Sequence, residues 1–174
     1  MYMYIMWCEY KDVIQKTHPK RDVYPLFHHS DQLDIAVEDL LRCANSFTFD
    51  SIAGLEATGM VFGSVLSYLL RRKFIAIRRA GKYPYSDENL YTESCTDYSS
   101  SEKRFEIPHT HIDAGERVLI VDDWIETGAQ FAVAKRLLEQ AGAHVVGGLF
   151  LGSTSQDILE DYEVPLRTVK YETE

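Results

Sequence analysis

Asp122 and Asp123 stand side by side after four branched apolar residues, Val118 to Val121, and before the polar turn Glu126, Thr127, Gly128. Such an apolar run predicts a buried strand, which places both carboxylates just past the point where the strand leaves the core. A helix is expected from about Ala129. The backbone N–H groups of Glu126, Thr127, Gly128, Ala129 and Gln130 therefore lie at a helix start. Free N–H groups there, together with the positive end of the helix dipole, suit an anion such as phosphate. Carboxylates accept hydrogen bonds, which fits sugar hydroxyls or a magnesium shell. Phosphate on one side and hydroxyls on the other describe a ribose 5-phosphate. The plain alternative is a core strand capped by two solvated acids.

The elements that would hold these residues follow from periodicity. Residues 31–45 read as an amphipathic helix, with Leu33, Val37, Leu40, Leu41 and Ala44 at helical spacing and Ser30 or Asp31 as the cap. "FDSIAGL" (49–55) reads as a strand, "GMVFGSVLSYLLRR" (59–72) as a largely buried helix, and "FIAIRR" (74–79) as a second strand. Residues 83–116 are rich in Tyr, Ser, Thr and acids, with one apolar alternation at "RFEI" (104–107), and read as a hairpin or mobile lid. "RVLIVDD" (117–123) is the strongest strand. The helix after it buries Ala134, Leu137, Leu138 and Ala141, and Gly142 occupies the position of a C-terminal cap. A strand at 144–152, a short helix at 155–162 and a last strand at 166–171 complete the chain. Alternating strands and helices, with continuous apolar strands, predict an α/β fold whose mostly parallel sheet is covered on both faces. Ligands of such sheets sit beyond the carboxyl ends of the strands, where Asp122 and Asp123 lie.

Composition narrows the function. The chain has 174 residues, enough for one domain with a sizeable core, and no internal repeat or linker. Its net charge of −9, from 27 acids and 18 bases, argues against a general nucleic-acid binder while leaving room for a local basic pocket. Cys8, Cys43 and Cys95 are widely spaced and form no zinc pattern, and their odd number suits a reducing cytoplasm. The apolar start, "MYMYIMW", lacks a basic leader and a cleavage site, so neither a signal peptide nor a membrane span is expected. His109 and His111 read as surface histidines for want of a third ligand. "GLEATGM" (54–60) has the glycine spacing of a P-loop, but Met60 stands where that motif needs Lys. Arg71, Arg72 and Lys73 suit a solvated helix end.

"VLIVDDWIETGAQ" (118–130) resembles the PRPP-binding signature of type I phosphoribosyltransferases, PRPP being 5-phosphoribosyl 1-pyrophosphate. Three further segments resemble the adenine phosphoribosyltransferases within that family. "IAGLEATGMVFG" (52–63) is similar to their pyrophosphate loop and following helix. "IRRAGKYP" (77–84) looks like their Arg-(Lys/Arg)-x-Gly-Lys-Leu-Pro motif, and "RDVYPLF" (21–27) like their Arg-Asp-(Val/Ile) segment. All four occur in the family's order, over about residues 20 to 171.

The resemblance implies a phosphoribosyltransferase-type, Rossmann-like fold with an N-terminal hood at 1–30 and a lid at 83–116. It implies transfer of a phosphoribosyl group from PRPP to a purine-like base, with magnesium accompanying PRPP. Asp122 and Asp123 would hold the ribose hydroxyls, and Glu126 to Gln130 the 5′-phosphate. Glu56, Ala57, Thr58 and Gly59 would form the pyrophosphate loop, with Arg78 and Lys82 as its cations. Asp97, in "TDYSSS" (96–101), is the nearest match to the family's lid acid. A homodimer is implied as well. The chain departs from the pattern at Thr58, where the adenine enzymes carry Arg, and at Glu126, Ala129 and Gln130 in the phosphate loop. A PRPP- or nucleotide-sensing module without turnover is the alternative those departures leave open, and an enzyme with another acceptor is a third reading.

Overall fold

The computed structural model describes residues 14–17, 20–96 and 102–171. Strands β1 (Gln15–Thr17) and β2 (Lys20–Asp22) form a small antiparallel ribbon, followed by a 3-10 turn at Tyr24–His28. Helix α1 (Ser30–Ala44) leads to β3 (Ser51–Leu55), α2 (Thr58–Leu70) and β4 (Lys73–Arg79). Strands β5 (Leu90–Thr96) and β6 (Glu102–Pro108) pair as an antiparallel hairpin. Then come β7 (Arg117–Ile125), α3 (Ala129–Gln140), β8 (His144–Ser153), the short α4 (Asp157–Glu160) and β9 (Leu166–Tyr171).

Seven strands form one sheet in the order β5-β6-β4-β3-β7-β8-β9. The five from β4 to β9 are parallel, and the β5–β6 hairpin joins β4 antiparallel through Arg78↔Glu106 and Arg79↔Phe105. The mostly parallel α/β architecture expected from the strand–helix alternation is the one observed. The segment read as a hairpin or lid has a more structural part than that reading held: Phe105, Glu106 and Ile107 of β6 are buried in the main sheet.

Alternation along each strand divides the core into two layers. Ala53, Leu55, Ile75, Ile77, Val118 and Ile120 face α3, where Phe131, Ala134, Leu137 and Leu138 cover them. Ile52, Leu119, Val121, Leu149 and Leu151 face the other way, under Val37 and Leu40 of α1 and Phe62 and Leu66 of α2. Gly142 caps α3 as expected: its N–H donates to the Glu139 carbonyl (2.9 Å) and that of Ala143 to the Leu138 carbonyl (3.0 Å), the two bonds of a Schellman motif. Strand β8 holds one extra residue opposite β7, because Val118 pairs with Val145 but Leu119 with Gly147. Among the described residues no helix is long and apolar enough to cross a membrane.

Candidate active site

The chain leaves β3 toward β4 on one side, while β3's other neighbour, β7, arrives later in sequence. This reversal opens a crevice beyond the carboxyl ends of β3 and β7, and two loops emerge beside it: 56–57, leading into α2, and 126–128, leading into α3. Between them lies a cavity of about 200 Å³. Its lining includes Glu56, Ala57, Thr58, Asp122, Asp123, Glu126, Thr127, Gly128, Ala129 and Gln130.

The first loop is fixed to β4. The Glu56 N–H donates to the Ile77 carbonyl (2.9 Å), and the Glu56 carboxylate accepts the Arg79 N–H (3.0 Å) with the Arg78 Nε 3.5 Å away. The Glu56–Ala57 peptide bond is cis. Gly59 lies behind the cavity, where a Cβ would meet Asp122 Oδ1 and the Val121 carbonyl, each at 2.7 Å. Lacking one, it brings the first turn of α2 against β7, and its N–H bonds the Asp122 carboxylate. The Thr58 hydroxyl lies 3.4 Å from the Tyr24 hydroxyl and hydrogen-bonds the Asp123 carboxylate.

Asp122 and Asp123 form one electrostatic unit, with the Asp123 N–H bonded to Asp122 Oδ1 at 3.0 Å. Burial, followed by repulsion from Asp123, pushes the Asp122 carboxyl well above the usual carboxylate range. Burial also raises Asp123, against hydrogen bonds from its neighbours that favour the charge. A pair of this kind keeps a proton more readily than two free acids.

The second loop turns at Gly128, in the left-handed region with φ +74°. Its carbonyl accepts the Ala132 N–H (2.9 Å), the first bond of α3, and also the Tyr162 hydroxyl (3.0 Å). Thr154 steadies the loop's other end by donating its hydroxyl to the Glu126 carbonyl (3.0 Å). The Ala129 N–H lies 3.4 Å from the Thr127 hydroxyl.

Arg78 and Lys82 lie outside this lining. The Arg78 guanidinium donates to the Lys82 carbonyl (2.8 Å) and sits 5.4 Å over the Tyr83 ring. The loop bearing Lys82 wraps a buried carboxylate: Glu106 accepts the N–H groups of Gly81, Lys82 and Tyr83, each at 3.0 Å. Asp97 falls outside the described residues. Arg21, Arg79 and Lys103 supply the cavity's cations instead, and Trp124, Ile125, Phe131 and Phe150 its apolar wall. The Arg21 guanidinium lies 5.7 Å from the Trp124 ring centre and that of Arg79 5.1 Å from the Phe105 ring. Parity was the signal for Arg79, which shares the strand face of Ile75 and Ile77, whereas Arg78 shares that of Phe74 and Ala76. No comparable signal marked Lys103, whose place depends on the hairpin joining the sheet.

Among the described residues no group of three or more metal-ligating side chains occurs. The available donors are two adjacent carboxylates beside the start of α3. That set fits magnesium in its usual form, held by one or two carboxylates together with substrate phosphates.

A family model described as "Phosphoribosyl transferase domain" matches residues 29–173. An adenine phosphoribosyltransferase of Agathobacter rectalis is 34% identical over 148 residues, 83% of each chain. One from Bifidobacterium animalis subsp. lactis is 39% identical over 151 residues, 82% of this chain and 75% of that one. Among solved structures, the adenine phosphoribosyltransferase of Rhodothermus marinus superposes with a TM-score of 0.83 at 28% identity, covering 97% of this chain and 99% of that one. The Saccharomyces cerevisiae enzyme, crystallised with adenine and an imino-altritol bisphosphate, gives 0.81 at 26% identity, covering 96% and 99%. A crevice at the sheet's switch point, an acid pair, a helix-start loop and these matches converge on one conclusion: the chain belongs to the phosphoribosyltransferase family.

Proposed function

We propose that this enzyme displaces pyrophosphate from C1 of PRPP with a ring nitrogen of a purine-like base, adenine first among them, giving a nucleoside 5′-monophosphate. The observation that carries the reading is the juxtaposition in one cavity of the Asp122–Asp123 pair and the N–H groups opening α3. The loop 126–130 cradles the 5′-phosphate, with the helix dipole favouring its charge. The acid pair holds the ribose 2′- and 3′-hydroxyls, which donate to its carboxylate oxygens. Glu56 to Gly59 form the pyrophosphate loop. Magnesium, when bound with PRPP, neutralises pyrophosphate oxygens and eases their departure.

As the C1–O bond breaks, its electron pair leaves with pyrophosphate, the base nitrogen forms the new bond to C1, and that nitrogen's proton passes to the lid carboxylate. Positive charge facing the leaving group matters most for such a step. Thr58 offers none, so the chain relies on the cations around it, with Arg78 and Lys82 reaching pyrophosphate across a subunit boundary. Asp97 serves as the lid acid toward the base. A single domain with a hood at 1–30 and a lid at 83–116, a homodimer and a cytoplasmic location complete the reading. Val61, Tyr68 and Leu69, exposed on α2, support the dimer. No observation favours the sensing module without turnover.

The test is pyrophosphate release from PRPP and magnesium with a panel of purine and pyrimidine bases. Adenine is expected to give the highest kcat/KM. PRPP binding with silence toward every base would overturn the catalytic reading.

A further inference from the structure

We propose that Tyr162 is a positioning residue for the phosphate loop, acting through the Gly128 carbonyl. This inference rests on the phosphate-binding reading of residues 126–130. Tyr162 follows α4, 34 residues beyond Gly128 in sequence, yet its hydroxyl donates to the Gly128 carbonyl at 3.0 Å. Its ring stands edge-on to Phe131 with centres 5.0 Å apart, and Phe131 in turn meets Phe150 at 6.0 Å. Both phenylalanines are buried and line the cavity. The tyrosine is thus held by a rigid aromatic stack, and its hydroxyl reaches the one left-handed residue of the loop.

The peptide geometry supplies the mechanism. The Gly128 carbonyl and the Ala129 N–H belong to one planar unit and point in opposite directions. Fixing the carbonyl from behind fixes the direction of that N–H, the first of α3, and with it the place of the Thr127 hydroxyl, to which it donates at 3.4 Å. The Ala132 N–H already binds the same oxygen, so two donors from different elements lock the plane. Glycine at 128 is required on both counts: φ is +74°, and a Cβ would lie 3.0 Å from the Tyr162 ring carbon bearing the hydroxyl. A loop held this way approaches a phosphate preorganised, so less ordering is needed on binding.

The experiment compares the full chain with Tyr162→Phe, which keeps the ring stack and removes only the donor. Three quantities are read: KM for PRPP, kcat, and the dissociation constant for ribose 5-phosphate, the last by calorimetry without turnover. Losing one neutral hydrogen bond predicts roughly a three- to tenfold rise in KM and in the ribose 5-phosphate constant, with kcat within about twofold. A variant whose melting temperature falls while both constants stay unchanged would show a merely structural tyrosine and overturn the proposal. So would an equal affinity for ribose 5-phosphate in the two proteins. Failure of the catalytic reading is distinguishable, because the ribose 5-phosphate titration does not need turnover.

Discussion

Asp122 shows how a side chain lining the candidate site can weaken the fold that carries it. Its carboxyl is raised well above the usual range by burial and by Asp123, so the folded chain holds that proton more tightly than the unfolded chain does. The sign follows: the contribution to stability is greatest at low pH and declines as pH climbs from the ordinary carboxylate range through the raised value. Asp122→Asn cannot ionise and escapes the decline. Urea midpoints at about pH 4 and about pH 7 should show the variant gaining on the parent at the higher pH. The same variant is expected to lose about ten- to a hundredfold in kcat/KM for PRPP, the value of one charged hydrogen bond. Much of the site was legible because its residues are contiguous: 56–59, 122–123 and 126–130 each come from one loop or strand end. Lys103 and Tyr162 come from distant segments and carry no local pattern, whereas Arg21 belongs to the "RDVYPLF" segment, whose pattern was visible but assigned it no role. The choice between Arg78 and Arg79 turns on strand parity, which could have been read from Ile75 and Ile77.

At the scale of elements, the site depends on how closely α2 approaches β7. Gly59→Ala would place a methyl carbon 2.7 Å from both Asp122 Oδ1 and the Val121 carbonyl, the second of them backbone that cannot swing aside. Helix α2 must then shift by some tenths of an ångström, carrying Thr58 and the 56–57 loop with it. A destabilisation of about 1–3 kcal/mol in urea unfolding is expected, with a further rise in KM for PRPP. Retained stability together with retained KM would contradict this close packing. Helices and parallel strands were readable because apolar periodicity is a local property. The β5–β6 hairpin was only half readable: "RFEI" alternates, but β5 ("LYTESCT") is mostly polar, and its place at the sheet edge follows from its pairing with β6, which joins β4, rather than from its own residues.

For the molecule as a whole, the central strands are clamped at the end opposite the site. Arg117 meets Asp50 in a fork: Nε donates at 2.9 Å and an Nη group at 2.7 Å, with the Arg117 N–H adding a third bond at 3.1 Å. Hydrogen bonds from Arg117 hold the Asp50 carboxyl down to about 2. A depressed carboxylate stabilises above its unfolded value, near pH 4, and that help fades as pH falls toward about 2. The pair is exposed, so the effect is modest and screened by salt. Acid titration of unfolding should lose this part of its pH dependence in Asp50→Asn, and a curve identical to the parent's would dismiss the clamp.

The additional residue in β8 has a bearing on which length changes the fold could survive. Val145 faces α3, yet Leu149 and Leu151, of the same parity, face α1 and α2. Only the unpaired position between Val145 and Gly147 reconciles them. Excising Val146 would only restore a regular ladder, because Val145 and Gly147 already oppose the consecutive residues Val118 and Leu119; excising Gly148 instead would turn everything downstream inside out, so that Leu149 and Leu151 swap layers with Phe150 and Trp124 loses the bare backbone of Gly152 on which its ring lies. Trimming one codon at the irregularity would therefore spare the pocket, while trimming one two places further on would dismantle a wall of which the lost residue is no part.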